Sequence, residues 1–227
     1  MLLLGGGRAL LMQLAHPLVA AAVAAHSGFQ SDPFARLQRT LETSYVIVFG
    51  TVEQARDAAA AVRVVHERVV GEGYRAEDPA LLMWVHATLV DTALRVHRRF
   101  LRPLRPADAE RYYQESAVVA ELLGLPRAAQ PADLAAFRDY VRTTVGDLEI
   151  TDTARRLAHD VLHPRIPWPV QPLAELGRQL TAGLLPPPLR LQYGLSWDAN
   201  RERALLLAGL GSRLLLPGVP SVLRRVP

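Results

Sequence analysis

Apolar residues recur at helical spacing along nearly the whole of this 227-residue chain, and this periodicity constrains its fold more than any other feature. Runs that alternate apolar and polar residues, as half-buried strands do, are rare. Proline and glycine divide the periodic stretches into lengths typical of single helices. The pattern therefore predicts an all-α fold, and because no linker or repeat divides the chain, a single domain over residues 1–227.

Local start and stop signals predict where individual helices lie. Thr51 begins a capping-box sequence, and Gly71 and Gly73 are the stop signals of the helix that follows. Asp78 and Pro79 are typical of a helix start, so we expect a long buried helix from there to about Leu101. Similar signals predict further helix boundaries at Asp32-Pro33, Gly50, Pro106, Gly124, Pro131, Thr151, Pro186 and Trp197.

The longest apolar stretch, from Ala9 to Ala25, is short for a bilayer span and contains Gln13, His16 and Pro17. We interpret it as a buried core helix, with a signal peptide as the less favoured alternative. The second stretch, from Ala204 to Leu216, is broken by glycine and arginine. We therefore expect a cytoplasmic protein, and the sequence leaves association with a membrane surface open.

The charged residues exclude several kinds of chemistry. The 26 basic and 22 acidic residues leave a net charge of +4, scattered along the chain, which does not favour nucleic-acid binding. All the basic residues are arginines, so a lysine Schiff base and a Walker A loop are excluded. There is no cysteine, which excludes thiolate nucleophiles, thiolate-ligated metals and disulfides. Any metal chemistry must use histidine, carboxylate or tyrosine.

One histidine stands on a predicted apolar face. Val62, Val65, His66 and Val69 are spaced i, i+3, i+4 and i+7, while charged residues occupy the opposite face of the same helix. Burial disfavours the charged imidazole, and the neutral form is what a metal or haem iron requires. The alternative is an ordinary hydrogen-bonded core histidine.

Arg36 and Thr40 form a second candidate pair. At i, i+4 spacing, a guanidinium and a hydroxyl lie on the same helix surface, where they suit a carboxylate or a bound oxygen species. The alternative is a solvated face with an ordinary salt bridge.

The remaining histidines give weaker signals. His16 and His86 lie in apolar helical stretches and have the pattern of interior imidazoles. His159 and His163 have the i, i+4 spacing of a zinc pair, but a third ligand of the expected spacing is missing from the sequence and Pro164 follows directly. A Gly-x-Ser-x-Gly nucleophile motif is also missing, which disfavours a serine hydrolase.

Four runs of residues together resemble the DUF2236 family, which includes the latex clearing proteins, or rubber oxygenases, and the oxygenase MpaB. The runs are Gly6 to Pro17, His26-Ser27, Asp32-Pro33 with Arg36 to Thr40, and Asp78 to Leu89. The resemblance implies a mostly helical fold with a globin-like core that holds a b-type haem. It also implies oxidative cleavage of isoprenoid double bonds with dioxygen.

The resemblance assigns roles to residues by order and spacing. Arg36 and Thr40 match the family's Arg-x-x-x-Thr pair, and His66 is the best match for the axial ligand of the haem iron. Arg39 occupies the position of a lysine that caps the distal side of the iron in some latex clearing proteins. Because a guanidinium stays protonated, we expect a distal side that is open or capped by water. We match no residue to a catalytic glutamate.

We therefore form one hypothesis for the site. His66 ligates haem iron, Arg36 and Thr40 order a propionate or polarise bound oxygen, and His16 and His86 are second choices as ligands. The expected partners are dioxygen and an apolar, isoprenoid-type alkene, without nucleic acid. Three alternatives stay open: a haem or lipid carrier, a helical ligand-sensing regulator, and an interaction module whose histidines are structural. The sequence leaves the oligomeric state open.

Overall fold

The computed structural model describes residues 2–26, 42–164 and 166–215, and within them nearly all regular structure is helical. The helices are α1 (Leu2–Ala15), α2 (Pro17–His26), α3 (described over 42–49), α4 (Val52–Glu67), α5 (Pro79–Phe100), α6 (Pro106–Leu122), α7 (Leu134–Asp147), α8 (Asp152–Leu162), α9 (Gln171–Leu184), α10 (Pro187–Gln192) and α11 (Ala199–Leu215). Two short strands, β1 (Val70–Gly71) and β2 (Tyr74–Arg75), form an antiparallel hairpin. The predicted all-α class is confirmed.

The predicted starts of α4 and α5 are confirmed, and each start is stabilised by hydrogen bonds between residues close in sequence. The Thr51 hydroxyl accepts a hydrogen bond from the Gln54 amide at 3.2 Å, and the Gln54 side chain accepts one from the Thr51 amide at 2.8 Å, which completes the capping box of α4. Asp78 accepts from the Ala80 amide at 2.8 Å, and Pro79 opens α5.

The predicted end of α4 at Gly71 is wrong. The helix ends at Glu67, and Gly71 instead pairs with Tyr74 in the hairpin, which turns at Gly73 with φ +74°. The ring of Tyr74 is buried and lies against Gly71, where a β-carbon would stand 2.6 Å from its Cε1 atom. The glycine is therefore required because an aromatic ring approaches it closely. In the sequence, such a glycine looks the same as one that ends a helix.

The predicted single core helix over 9–25 is also wrong. It is divided into α1 and α2, which meet at 106° across His16. Pro17 explains the break, since it lacks the amide that a continuing helix would need. In the described part of the chain no single helix is long and apolar enough to cross a membrane, although α1 and α2 taken together pass that test by length and composition.

Helix α5 lies at the centre of the fold and contacts α1, α6, α7 and α11. It runs antiparallel to α1, because Gly5 approaches Val96 while the Trp84 indole donates to the Met12 carbonyl at 3.0 Å. The other side of α1 packs on α9, and α2 packs on α8. Buried side chains of α1, α5 and α6 to α8 form one continuous core.

The glycines of α1 give a prediction with an internal control. A β-carbon on Gly5 would stand 2.5 Å from Thr92 Cγ2, whereas one on Gly6 would meet nothing within 4 Å. We expect Gly5→Ala to destabilise the protein by about 1–3 kcal/mol through overpacking. Gly6→Ala is expected to stabilise it by up to about 1 kcal/mol, because alanine is the better helix former. Urea unfolding of both variants measures the difference, and equal effects would contradict the α1–α5 packing.

Candidate functional site

His66 lies near the C-terminal end of α4, on the side of the helix that is covered. Val62, Ala59 and Ala55 precede His66 on the same side of α4, and the two alanines are buried. The His66 Nδ1 atom is buried and has no hydrogen-bond partner among the described residues. Burial lowers the pKa of His66, and the negative charge of Glu77 only partly opposes this. The imidazole is therefore neutral at neutral pH.

The predicted valine face around His66 is only partly correct. Val65 is 58% exposed, while Val62 and Val69 are half-buried. The covered side of α4 is centred on Ala59 and Val62. His66 lies on this side of the helix, whereas Val65 lies next to it on the exposed surface. The small alanines allow close packing, and α4 makes its contacts with α6.

His16 occupies the break between α1 and α2. Its Nδ1 atom is also buried and has no hydrogen-bond partner among the described residues. Burial lowers the pKa of His16, and the carboxylate of Asp78 partly opposes this. His66 and His16 are thus within electrostatic reach of the adjacent acids Glu77 and Asp78, which precede α5.

His86 lies on the least buried side of α5, in line with Leu82, Leu89 and Ala93. Its Nε2 atom is buried and has no hydrogen-bond partner in the part of the chain that the structure describes. Burial lowers its pKa to about 4, so this imidazole is uncharged at neutral pH. At 1.5 Å per residue, His86 lies about 12 Å along α5 from Asp78.

The three histidines share one chemical property. Each presents a buried ring nitrogen without a described partner, which is costly for a polar atom unless a ligand satisfies it. The described residues contain no group of three or more side chains arranged to hold a metal ion. A neutral histidine with an unpartnered ring nitrogen has the chemistry of a ligand for haem iron, which needs only one or two ligands from the protein.

The other predicted site residues cannot be placed beside these three histidines. Arg36, Arg39 and Thr40, and with them the predicted helix start at Asp32-Pro33, lie outside the described residues. His159 lies on α8 and His163 directly follows the end of that helix. Their rings are stacked with centroids 4.4 Å apart, and His163 Nδ1 is hydrogen-bonded to the His159 carbonyl at 3.1 Å.

One buried charged residue was missed by the sequence analysis. Arg8 of α1 is fully buried and contacts Asp91 at 2.5 Å, the Leu184 carbonyl at 2.7 Å, and the Thr92 hydroxyl. Burial lowers its pKa and Asp91 opposes this, but an arginine stays charged. Arg8 therefore ties α1 to α5 and α9. The signal was available in the sequence. Arg8 is the only charged residue of α1, in which Gln13 is the one other polar side chain, and such a residue needs a buried partner.

Comparison with known proteins identifies the family of this chain. Residues 1–214 match the family described as "ER-bound oxygenase mpaB/B'/Rubber oxygenase, catalytic domain". This confirms the resemblance drawn from the four sequence runs. Two relatives are the uncharacterised proteins Mb2261 of Mycobacterium bovis and Rv2237 of Mycobacterium tuberculosis. Each is 29% identical over 178 residues, which are 75% of this chain and 70% of the relative. No solved structure matches the chain.

Proposed function

Since the chain belongs to the family of the MpaB and rubber oxygenase catalytic domains, we propose that it is a b-type haem-dependent oxygenase. The family membership itself implies an oxygenase with a small-molecule substrate and dioxygen. The proposal goes further in three respects: the cofactor is haem, the substrate is an apolar, isoprenoid-type alkene, and residues 1–227 form one catalytic domain.

The observation that carries the proposal is the buried Nδ1 atom of His66. It has no hydrogen-bond partner among the described residues, and burial holds the ring neutral. A neutral imidazole offers a lone pair on one of its two ring nitrogens, which a ligand of haem iron must supply. His66 also lies on the covered side of a capped 16-residue helix. His16 and His86 share the free nitrogen but lack the match to the family's ligand position, so they are second choices.

The other residues of the proposed site act around the cofactor. When bound, haem would supply a redox-active iron for reaction with dioxygen. Arg36 and Thr40 would donate hydrogen bonds to a propionate or to dioxygen. Arg39 would not ligate the iron, because its guanidinium stays protonated. Leu82, Leu89 and Ala93 give α5 an apolar line beside His86, against which an alkene chain would exclude water.

An absorption spectrum tests the cofactor directly. Purified protein supplied with haem is expected to take up one equivalent and to show a strong Soret band. Protein that binds no haem would contradict the proposal and favour the ligand-sensing regulator or the interaction module.

Turnover tests the reaction. Haem-loaded protein, reduced without oxygen and then mixed with oxygen and an isoprenoid alkene, is expected to give cleaved carbonyl products. A stable oxygen complex without product would favour a haem carrier instead.

A further inference from the structure

Two exposed histidines lie one helical turn apart at the end of α8. His159 belongs to the last turn of the helix, and His163 directly follows it, so the two residues are at i, i+4 spacing. Their rings are stacked, with an angle of 28° between the planes. The two imidazoles are therefore held side by side at the surface, where an ion from solvent can reach both.

The backbone decides which nitrogen of His163 carries the proton. The Nδ1 atom of His163 lies 3.1 Å from the His159 carbonyl oxygen. Because a carbonyl oxygen only accepts hydrogen bonds, Nδ1 must carry a hydrogen and donate it. In the neutral ring the lone pair is then on Nε2. Histidines that ligate metals have this arrangement, since one ring nitrogen donates to a carbonyl or a carboxylate and the other binds the metal.

The Nδ1 atom of His159 also lies near an oxygen. Asp160 Oδ1 is 3.9 Å away, which is too long for a hydrogen bond but close enough for the carboxylate charge to favour a proton on Nδ1. The side chain of His159 is 70% exposed. Both rings therefore have Nδ1 on the side of an oxygen atom, which leaves Nε2 as the nitrogen with the lone pair.

We propose that His159 and His163 form a two-nitrogen chelate for a divalent transition-metal ion, with Cu²⁺ bound most tightly. Imidazole nitrogens suit copper, nickel and zinc, and affinity is highest for Cu²⁺ in this series. Two protein ligands leave positions for water, which suits the tetragonal nitrogen and oxygen surroundings of Cu²⁺ better than the closed tetrahedral site of structural zinc. Mg²⁺ and Ca²⁺ prefer oxygen ligands and are not expected to bind. The inference goes beyond the proposed oxygenase and does not depend on haem.

Titration of the purified full chain with Cu²⁺ tests the proposal, with calorimetry for affinity and electron paramagnetic resonance for the ligands. We expect one tightly bound Cu²⁺ whose spectrum shows two nitrogen ligands. His159→Gln and His163→Gln are each expected to weaken its binding by about 100-fold, because a second imidazole on the same helix binds as an intramolecular ligand. Both side chains are exposed, so the variants should keep the fold, which far-ultraviolet circular dichroism checks.

His26→Gln is the matched control. His26 is also exposed, but it ends α2 and its Nε2 atom lies 3.2 Å from the Val70 carbonyl oxygen. His66→Ala separates the copper site from the proposed haem ligand. Both variants are expected to keep the tightly bound Cu²⁺ and its two-nitrogen spectrum.

Three results would overturn the proposal. Cu²⁺ with a single nitrogen ligand in the wild type, or equal losses of affinity in His26→Gln and the two α8 variants, would identify adventitious binding only. A tightly bound Cu²⁺ that is lost in His66→Ala but kept in the α8 variants would place the copper at His66 instead. The oxygenase proposal survives each of these results, because none of them concerns haem uptake or turnover.

Discussion

His66→Ala is expected to abolish stoichiometric haem retention and to leave the helical fold intact. Loss of residues that only orient a metal ligand typically weakens metal binding by about 10–100-fold, so loss of the ligand itself should exceed about 100-fold. The fold should persist because His66 is only partly buried and makes no hydrogen bond to another described residue through Nδ1. The Soret absorbance per protein after gel filtration measures retention, and far-ultraviolet circular dichroism measures the fold.

The matched variants are His16→Ala and His86→Ala. Both remove a half-buried, neutral imidazole with an unpartnered ring nitrogen, so they control for the loss of such a group in general. They are expected to retain haem, with smaller changes in the spectrum. If His66→Ala keeps full haem while either of the others loses it, the ligand assignment is wrong even though the haem proposal survives.

Arg8→Ala is expected to be among the most destabilising single substitutions in the described part of this protein. Removing one partner of a buried ion pair typically costs about 3–5 kcal/mol, because the other charge loses its compensation. Here the Asp91 carboxylate, the Leu184 carbonyl and the Thr92 hydroxyl would all lose the same guanidinium. For a chain of this size, the midpoint of thermal unfolding should fall by roughly 10 °C.

Arg142→Ala is the control for Arg8. Arg142 also forms an ion pair, with Asp139 at 3.0 Å, but both side chains are largely exposed to solvent. Exposed pairs contribute little, so this variant should melt close to the wild type. Equal melting of the Arg8 and Arg142 variants would show that the buried pair does not hold α1 to α5.

Local features of the structure were predictable because they depend on neighbours in sequence. The capping box at Thr51 and the start of α5 at Pro79 need only residues within one helical turn, and both are confirmed. The break at Pro17 also has a local cause, but the long apolar run obscured it. The hairpin at Gly71 was not predictable, because the glycine is required there by the packing of the Tyr74 ring.

Which side of a helix is covered depends on its partners. Periodicity placed His66 on the apolar side of α4, but it also placed Val65 there, and Val65 is 58% exposed. His16 and His86 are only half-buried, whereas the sequence analysis predicted interior positions for both. Their free nitrogens and the electrostatic reach of Glu77 and Asp78 became visible only after folding.

The sequence by itself determined the helical class, most helix boundaries, the family, and the exclusion of thiolate and lysine chemistry, since these depend on residue types and on contacts within a turn or two. The tertiary structure decided that α5 is central, that Arg8 and Asp91 meet although 83 residues separate them, and that three imidazoles are held neutral with free nitrogens. The reason is physical: desolvation and pairing depend on residues that only the complete packing brings together.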